Sequence, residues 1–150
     1  MTAPVVTEAR PPAALVRVLN PINRVLLHGA LGRAVKPVAL LDFRGRRTGR
    51  RLRIPVLWHP LDDRAYVFSP ATWPRNFADG HDATVIHRGR PRSMRGTLVS
   101  DPELVANALN ELLANGTKSQ HTGLNIPDAH RVTAADVINV SRQLVIFEPA

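Results

Sequence analysis

The chain contains no cysteine, which excludes disulfides, thiol nucleophiles and zinc sites built on thiolates. Aromatic residues are scarce: two Trp, one Tyr and four Phe. Lysine is nearly absent, with only Lys36 and Lys118 among twenty basic residues, the rest being arginine. No apolar run approaches the roughly 18–20 residues that a membrane-spanning helix needs. The opening MTAPVVTEARPP lacks a basic start followed by a long apolar stretch, so a cytoplasmic location is expected. The six histidines (His28, His59, His81, His87, His121 and His130) include no pair at the i, i+4 spacing of a helical metal site, and no bound metal is expected. Neither a P-loop nor a G-x-S-x-G nucleophile elbow is present.

What the chain does have is an ordinary globular mixture over 150 residues, 44% apolar and 21% charged, which fits one domain. Residues 1–11 are polar and proline-rich and are expected to form a flexible tail, with residues 12–150 a single domain. The net charge of +8 gives a surface that attracts anions: phosphate, polycarboxylate, nucleic acid or acidic lipid.

Hydrophobic spacing orders the chain. Leu15, Val18, Leu19, Ile22, Leu26 and Ala30 recur at intervals of three and four and predict a helix over 12–34, kinked at Pro21. Strands are predicted at Val38–Arg44, Leu52–His59, Ala65–Ser69, Ala83–His87, Ser93–Ser100 and Gln143–Phe147. The turn Arg88–Gly89–Arg90–Pro91 joins two of them as a hairpin. Trp73–Gly80 reads as a short helix. Asp101–Pro102–Glu103 starts a longer one whose apolar stripe runs from Leu104 to Leu113 and stops at Asn115–Gly116. Thr133 caps a further short helix, and residues 117–132 read as irregular. About six short, mainly antiparallel strands with an N-terminal helix and flanking helices make an α+β chain around a sheet or barrel; the parallel alternation of a Rossmann fold is absent.

Two segments carry candidate chemistry. Six of the ten residues from Arg44 to Arg53 are arginine, around the core Gly45-Arg46-Arg47-Thr48-Gly49. Two glycines let the backbone bend tightly, backbone N–H groups in such a bend can cup an anion, and guanidinium groups bind phosphate or carboxylate as a fork. That suits an acidic small molecule; a solvated hairpin tip is the plain alternative. In Trp73-Pro74-Arg75-Asn76-Phe77 the indole and the amide, three apart, share a helix face and suit a planar ring and a polar edge, or a core Trp and a structural Asn. The N-terminal helix, with Arg17, Arg24 and Arg33 beside its apolar face, suits either packing on the barrel or contact with an anionic membrane surface.

Taken in order, the helix, LLDFRGRRTGRRLRIPVLW, AYVFSPATWPRNF and ATVIHRGR resemble the deazaflavin-dependent nitroreductase family, over about residues 20–99. The likeness rests on the Gly-Arg-basic-Ser/Thr-Gly turn, Pro55 in the next strand, the Trp-x-x-Asn pair Trp73 and Asn76, and the closing Phe147-Glu148-Pro149. The resemblance implies a split β-barrel oxidoreductase of a kind common in actinobacteria. It also implies coenzyme F420, whose tail carries a phosphodiester and glutamate carboxylates, or flavin mononucleotide (FMN) as the alternative. In that reading Arg46, Arg47, Thr48 and Gly49 hold the tail, with Arg50, Arg51 and Arg53 as secondary contacts. Pro55, Val56 and Leu57 line the ring pocket; Ser69, Pro70, Ala71 and Thr72 offer backbone groups to the ring; Trp73 and Asn76 brace that loop. The reaction implied is hydride transfer to an enone, quinone or nitro compound.

Tyr66 is the sole tyrosine, so the C-terminal tyrosines of nitroreducing members have no counterpart, and the substrate stays open, as does a homodimer. A non-catalytic carrier of F420, another flavin or haem is one alternative. A basic nucleic-acid-binding protein is another, against which stands the lack of aromatics interleaved with the basic run, which only Phe43 and Trp58 flank.

Overall fold

The computed structural model describes residues 6–8, 38–117, 122, 124–127, 129–140 and 142–150. The helix expected over 12–34, and with it the membrane contact, lies outside them.

Strand β1 (Thr7–Glu8) precedes β2 (Val38–Arg44), β3 (Arg51–Leu57), β4 (His59–Leu61) and β5 (Arg64–Ser69). A 3₁₀ helix (Trp73–Phe77) leads into β6 (His81–His87) and β7 (Arg90–Val99). Helix α1 (Pro102–Ala114), β8 (Leu124–Asn125), α2 (Ala134–Val140) and β9 (Gln143–Pro149) complete the order. Seven strands form one antiparallel sheet in the order β3-β2-β6-β7-β9-β5-β4, and β1 pairs with β8 separately. β3 and β4 occupy opposite edges of the sheet although only Trp58 separates them in the chain. The sheet therefore curls until its two edges meet at one residue, a barrel split between β3 and β4.

The alternation of side chains along curled strands builds two cores. From β5, Ala65 and Val67 point into the barrel while Tyr66 and Phe68 point out toward the helices; from β9, Val145 and Phe147 point in and Leu144 points out. All seven are buried, which is why these strands read as continuous apolar runs rather than as alternating ones. The barrel interior adds Leu41, Phe43, Val56, Trp58, Phe77, Val85 and Met94. The outer core adds Val105, Leu109 and Leu112 of α1 and Val137 and Val140 of α2. Each such side chain contributes about 1.5–3 kcal/mol on burial.

The chain punctuates these elements locally. Asp101 caps α1 by accepting from the Glu103 N–H at 2.9 Å. At its other end Gly116 (φ 92°) takes the left-handed position, while the N–H groups of Thr117 and Gly116 return to the Leu112 and Leu113 carbonyls at 3.0 and 3.2 Å. α2 opens on a reciprocal cap in which Asp136 N–H donates to Thr133 Oγ1 and Thr133 N–H to Asp136 Oδ2. Burial works against the Asp136 carboxylate, but hydrogen bonds from His130 and Thr133 outweigh it and hold its pKa below the ordinary value.

Three features differ from the expectation. The predicted strand Leu52–His59 is two strands, because the chain turns the barrel's corner at Trp58. Part of the expected flexible tail is held: Thr7–Glu8 pairs with Leu124–Asn125, and Val6 is buried with Leu124 in the outer core. Two-residue strands are too short to leave a periodic signature, so the pairing of two apparently irregular stretches was not visible. The short helix expected over Trp73–Gly80 is shorter, a 3₁₀ helix over Trp73–Phe77, stopped by Asp79 (φ 62°) and Gly80 (φ 90°) in left-handed conformation.

Candidate functional site

The loop between β2 and β3 is closed by its own backbone. Gly45 N–H donates to Arg50 O at 2.7 Å and Gly49 N–H to Gly45 O at 2.8 Å. Gly49 sits at φ 69°, which L side chains rarely adopt. Thr48 Oγ1 accepts from the Arg50 N–H at 3.2 Å, and Arg44 Nη1 donates to Gly49 O at 3.2 Å. The turn is thus a preformed bend rather than a loose tip.

It is also docked. Arg46 N–H donates to Asn76 Oδ1 at 2.9 Å, and Asn76 Nδ2 donates to Trp73 O at 2.9 Å. The Arg46 guanidinium donates to Ala78 O at 2.7 Å and pairs with Asp79 at 3.2 Å. Asn76 therefore ties the turn to the 3₁₀ helix. That helix is seated in turn by Phe77, which is fully buried, and by Trp73, whose ring lies 6.4 Å from Phe43 and 5.9 Å from Phe77. His81 Nε2 lies 2.7 Å from Arg44 O, which places its proton on Nε2 and pins the start of β6 to the end of β2.

Apart from Arg44, which donates within the turn, the arginines of the run divide into three groups. Arg46 is spent on the 3₁₀ helix and positions the turn. Arg51 and Arg53 converge on Asp42, at 2.6 and 3.2 Å. Arg47 and Arg50 are exposed, and their guanidinium groups have no hydrogen-bond or ion-pair partner among the described residues.

The hydrogen bond from Arg51 is the main reason that the Asp42 carboxyl lies below its ordinary 3.8, against some desolvation. A lowered folded-state pKa stabilises the fold above the unfolded value, and that contribution is lost as pH falls through the folded one. Asp42→Asn is expected to cost about 1 kcal/mol in urea unfolding at pH 7. The gap from wild type should close below the ordinary pKa of 3.8. A gap independent of pH would assign it to packing.

The structure brings together Arg46, Arg47, Thr48, Gly49, Trp73 and Asn76, with Ser69–Thr72 leading directly into the 3₁₀ helix. Ser69 is buried and its Oγ accepts from the Ala71 N–H at 3.1 Å; Pro70, Ala71 and Thr72 are exposed. Pro55, Val56 and Leu57 do not share a face. Pro55 and Leu57 stand opposite Leu40 and Val38 on the outside of the barrel, whereas Val56 stands opposite Ala39 on the inside. A period of two forbids three consecutive strand residues from lining one pocket. Sequence reading missed Asp42 and Asp79, the acids that take up Arg51, Arg53 and Arg46. The Arg46–Asp79 pair spans 33 residues and leaves no local signal.

Two of the concavities on the barrel are lined by described residues. One of about 510 Å³ is lined by Asp42, Phe43, Arg44, Arg51 and His81 among others. The second, of about 590 Å³, lies beside the β6–β7 hairpin. Neither is lined by Arg46–Gly49, Pro55–Leu57 or Ser69–Thr72. Among the described residues, no group of three or more metal-ligating side chains could hold an ion, and no helix is long and apolar enough to cross a membrane.

No family model matches the sequence, and no curated protein does. Solved structures match its shape. One, described as a domain-swapped dimer, has a TM-score of 0.52 at 11% identity, covering 91% of this chain and 100% of that one. The fold is a split β-barrel of the α+β class. HutZ, the haem storage protein from Vibrio cholerae, has a TM-score of 0.48 at 9% identity, covering 88% of this chain and 90% of that one. An F420 reductase has a TM-score of 0.40 at 18% identity, covering 77% of this chain and 87% of that one. At such identities the likeness is one of fold alone.

Proposed function

We propose that this split barrel binds a flavin-type redox coenzyme with an acidic tail, deazaflavin F420, and reduces an electron-poor small molecule. The observation that carries the reading is the turn Gly45–Arg50: bent by glycine, locked to the 3₁₀ helix, and presenting Arg47 and Arg50 exposed and without a partner among the described residues. A fixed turn with unspent guanidinium groups suits a phosphodiester followed by carboxylates, because little side-chain ordering remains to be done on binding. No added Cβ at Gly49 would meet an atom within 4 Å, so space for a ligand exists on that side of the bend.

In this reading Arg47, Arg50, Thr48 and the turn backbone hold the tail, and Arg46 and Asn76 keep the turn in place. The exposed backbone of Pro70–Thr72 meets the ring, Trp73 braces it, and Pro55 and Leu57 approach it from the outer face of β3. When bound and reduced, such a coenzyme supplies a hydride to an enone, quinone or nitro compound. The chain's own part is to orient and to shield from water, which calls for no activated side chain. A homodimer and a cytoplasmic location belong to the same proposal.

Fluorescence titration of the purified chain with F420 and, in parallel, FMN tests it. F420 is expected to bind at least tenfold more tightly, since FMN offers one phosphate in place of an extended polyanion. Equal or tighter FMN binding transfers the assignment to an ordinary flavin, and no binding of either removes it. Tight F420 binding without turnover over a panel of enones and quinones would make the chain a carrier.

A further inference from the structure

The second concavity belongs to neither the turn nor the coenzyme reading, and it is built differently. Its floor is the buried indole of Trp58 with Val85 and Met94, none more than 6% exposed. His87 stands beside Trp58, ring centroids 6.2 Å apart. Its rim is Arg88, Arg90 and Arg92, all exposed. The strand register explains the placement. Arg90 stands opposite His87, and Arg92 opposite Val85. Directly opposed residues share a face, so both arginines lie on the face that Val85 and Met94 turn to the barrel interior. None of the three guanidinium groups has a hydrogen-bond or ion-pair partner among the described residues.

The backbone adds a second indication. Arg88 and Gly89 form a two-residue hairpin turn with φ of 55° and 75°. Positive φ at both positions is the geometry that Asn-Gly satisfies, and a left-handed arginine costs about 1–2 kcal/mol. A long cationic side chain thus occupies a position where local stability favours asparagine, and that side chain lines the cavity.

We infer that this cavity is a binding site for a small organic anion that joins a flat apolar ring to one carboxylate or phosphate. The ring meets Trp58 and Met94, and the anionic group meets the arginine rim. An inorganic anion alone leaves the apolar floor unfilled, and a neutral ring leaves the three cations without a partner among the described residues. A volume of about 590 Å³ suits a small molecule. The site lies at the His87 end of β6, whereas the Arg-rich turn docks near the His81 end, roughly 20 Å away at about 3.3 Å per strand residue.

Isothermal titration calorimetry of the full chain with 1-naphthoate, 1-naphthalenemethanol and inorganic phosphate tests the site. Naphthoate should bind at one equivalent, with the neutral alcohol and phosphate each at least tenfold weaker. Arg90→Ala with Arg92→Ala should weaken naphthoate at least tenfold, while Arg131→Ala, an exposed arginine elsewhere, leaves it unchanged. Arg88→Asn keeps the assay informative if the double variant folds poorly: it should melt at a higher temperature than wild type yet bind naphthoate more weakly. No naphthoate binding, binding indifferent to the Arg88 and Arg90/Arg92 substitutions, or alcohol or phosphate binding as tight as naphthoate would overturn the inference. Displacement of naphthoate by single-stranded DNA at equal concentration would overturn it too, in favour of nucleic acid. All of these readings are independent of whether F420 binds.

Discussion

Arg46→Ala combined with Arg47→Ala is expected to weaken F420 binding ten- to a hundredfold, about 1.4–2.8 kcal/mol. The two substitutions act by different routes. Arg47 has no partner among the described residues, so its removal costs the fold nothing measurable and takes a charged contact from the tail, each such contact being worth about 1.5–3 kcal/mol. Arg46 already donates to Ala78 O and pairs with Asp79. Its removal frees the turn from the residues that follow the 3₁₀ helix, while the Arg46 N–H on Asn76 Oδ1 remains. The single variants therefore separate the roles. Arg47→Ala should raise Kd with an unchanged melting temperature and a shallower salt dependence. Arg46→Ala should raise Kd and lower the melting temperature slightly, because its ion pair is solvent-exposed. Unchanged affinity in the double variant would remove the turn from the site. Loss of affinity in Arg46→Ala alone would make the turn's position, and not its charge, the determinant.

Gly96→Ala is expected to cost about 3 kcal/mol, a fall in melting temperature of roughly 10 °C for a chain of this size. A Cβ on Gly96 would stand 2.5 Å from a Phe77 ring carbon and 2.8 Å from one of Phe147. Both rings are fully buried and pack on each other at 5.3 Å between centroids, so neither can swing away. Phe77 closes the 3₁₀ helix that carries Asn76, so the strain also reaches the Arg46 turn. Adding Phe77→Leu, which vacates the space that the new methyl needs, should recover part of the loss. Unfolding by urea reads both steps. An unaltered midpoint in Gly96→Ala would mean that β7 and the 3₁₀ helix are not packed as described.

Much of the fold was legible because it is written in local code. The Asp101 cap, the Gly116 stop, the Thr133 cap and the Arg88–Gly89 hairpin each depend on residues within a turn of one another, and each stands where the sequence placed it. The run 38–41 read as a strand because it is apolar on both faces, and it is buried on both. What was lost is what only three dimensions supply: the corner at Trp58, the pairing of Thr7–Glu8 with Leu124–Asn125, and the acids that meet the arginines. The six-arginine run looked like one cationic unit. In the folded chain Asp42 takes up two members and Asp79 a third, so the positive charge left for a partner is smaller and more sharply placed than the sequence implied. The second arginine cluster, split by proline and glycine, looked like a plain hairpin; only the strand register reveals that two of its members face inward.

The two rims of the sheet each carry a proline, Pro55 in β3 and Pro60 in the three-residue β4. Proline offers no N–H for a neighbouring chain to zip onto, and rims are where sheets tolerate it. Self-association by strand addition is thereby discouraged along both borders. Any contact between two copies is therefore expected to be one of side chains rather than of a continued backbone ladder.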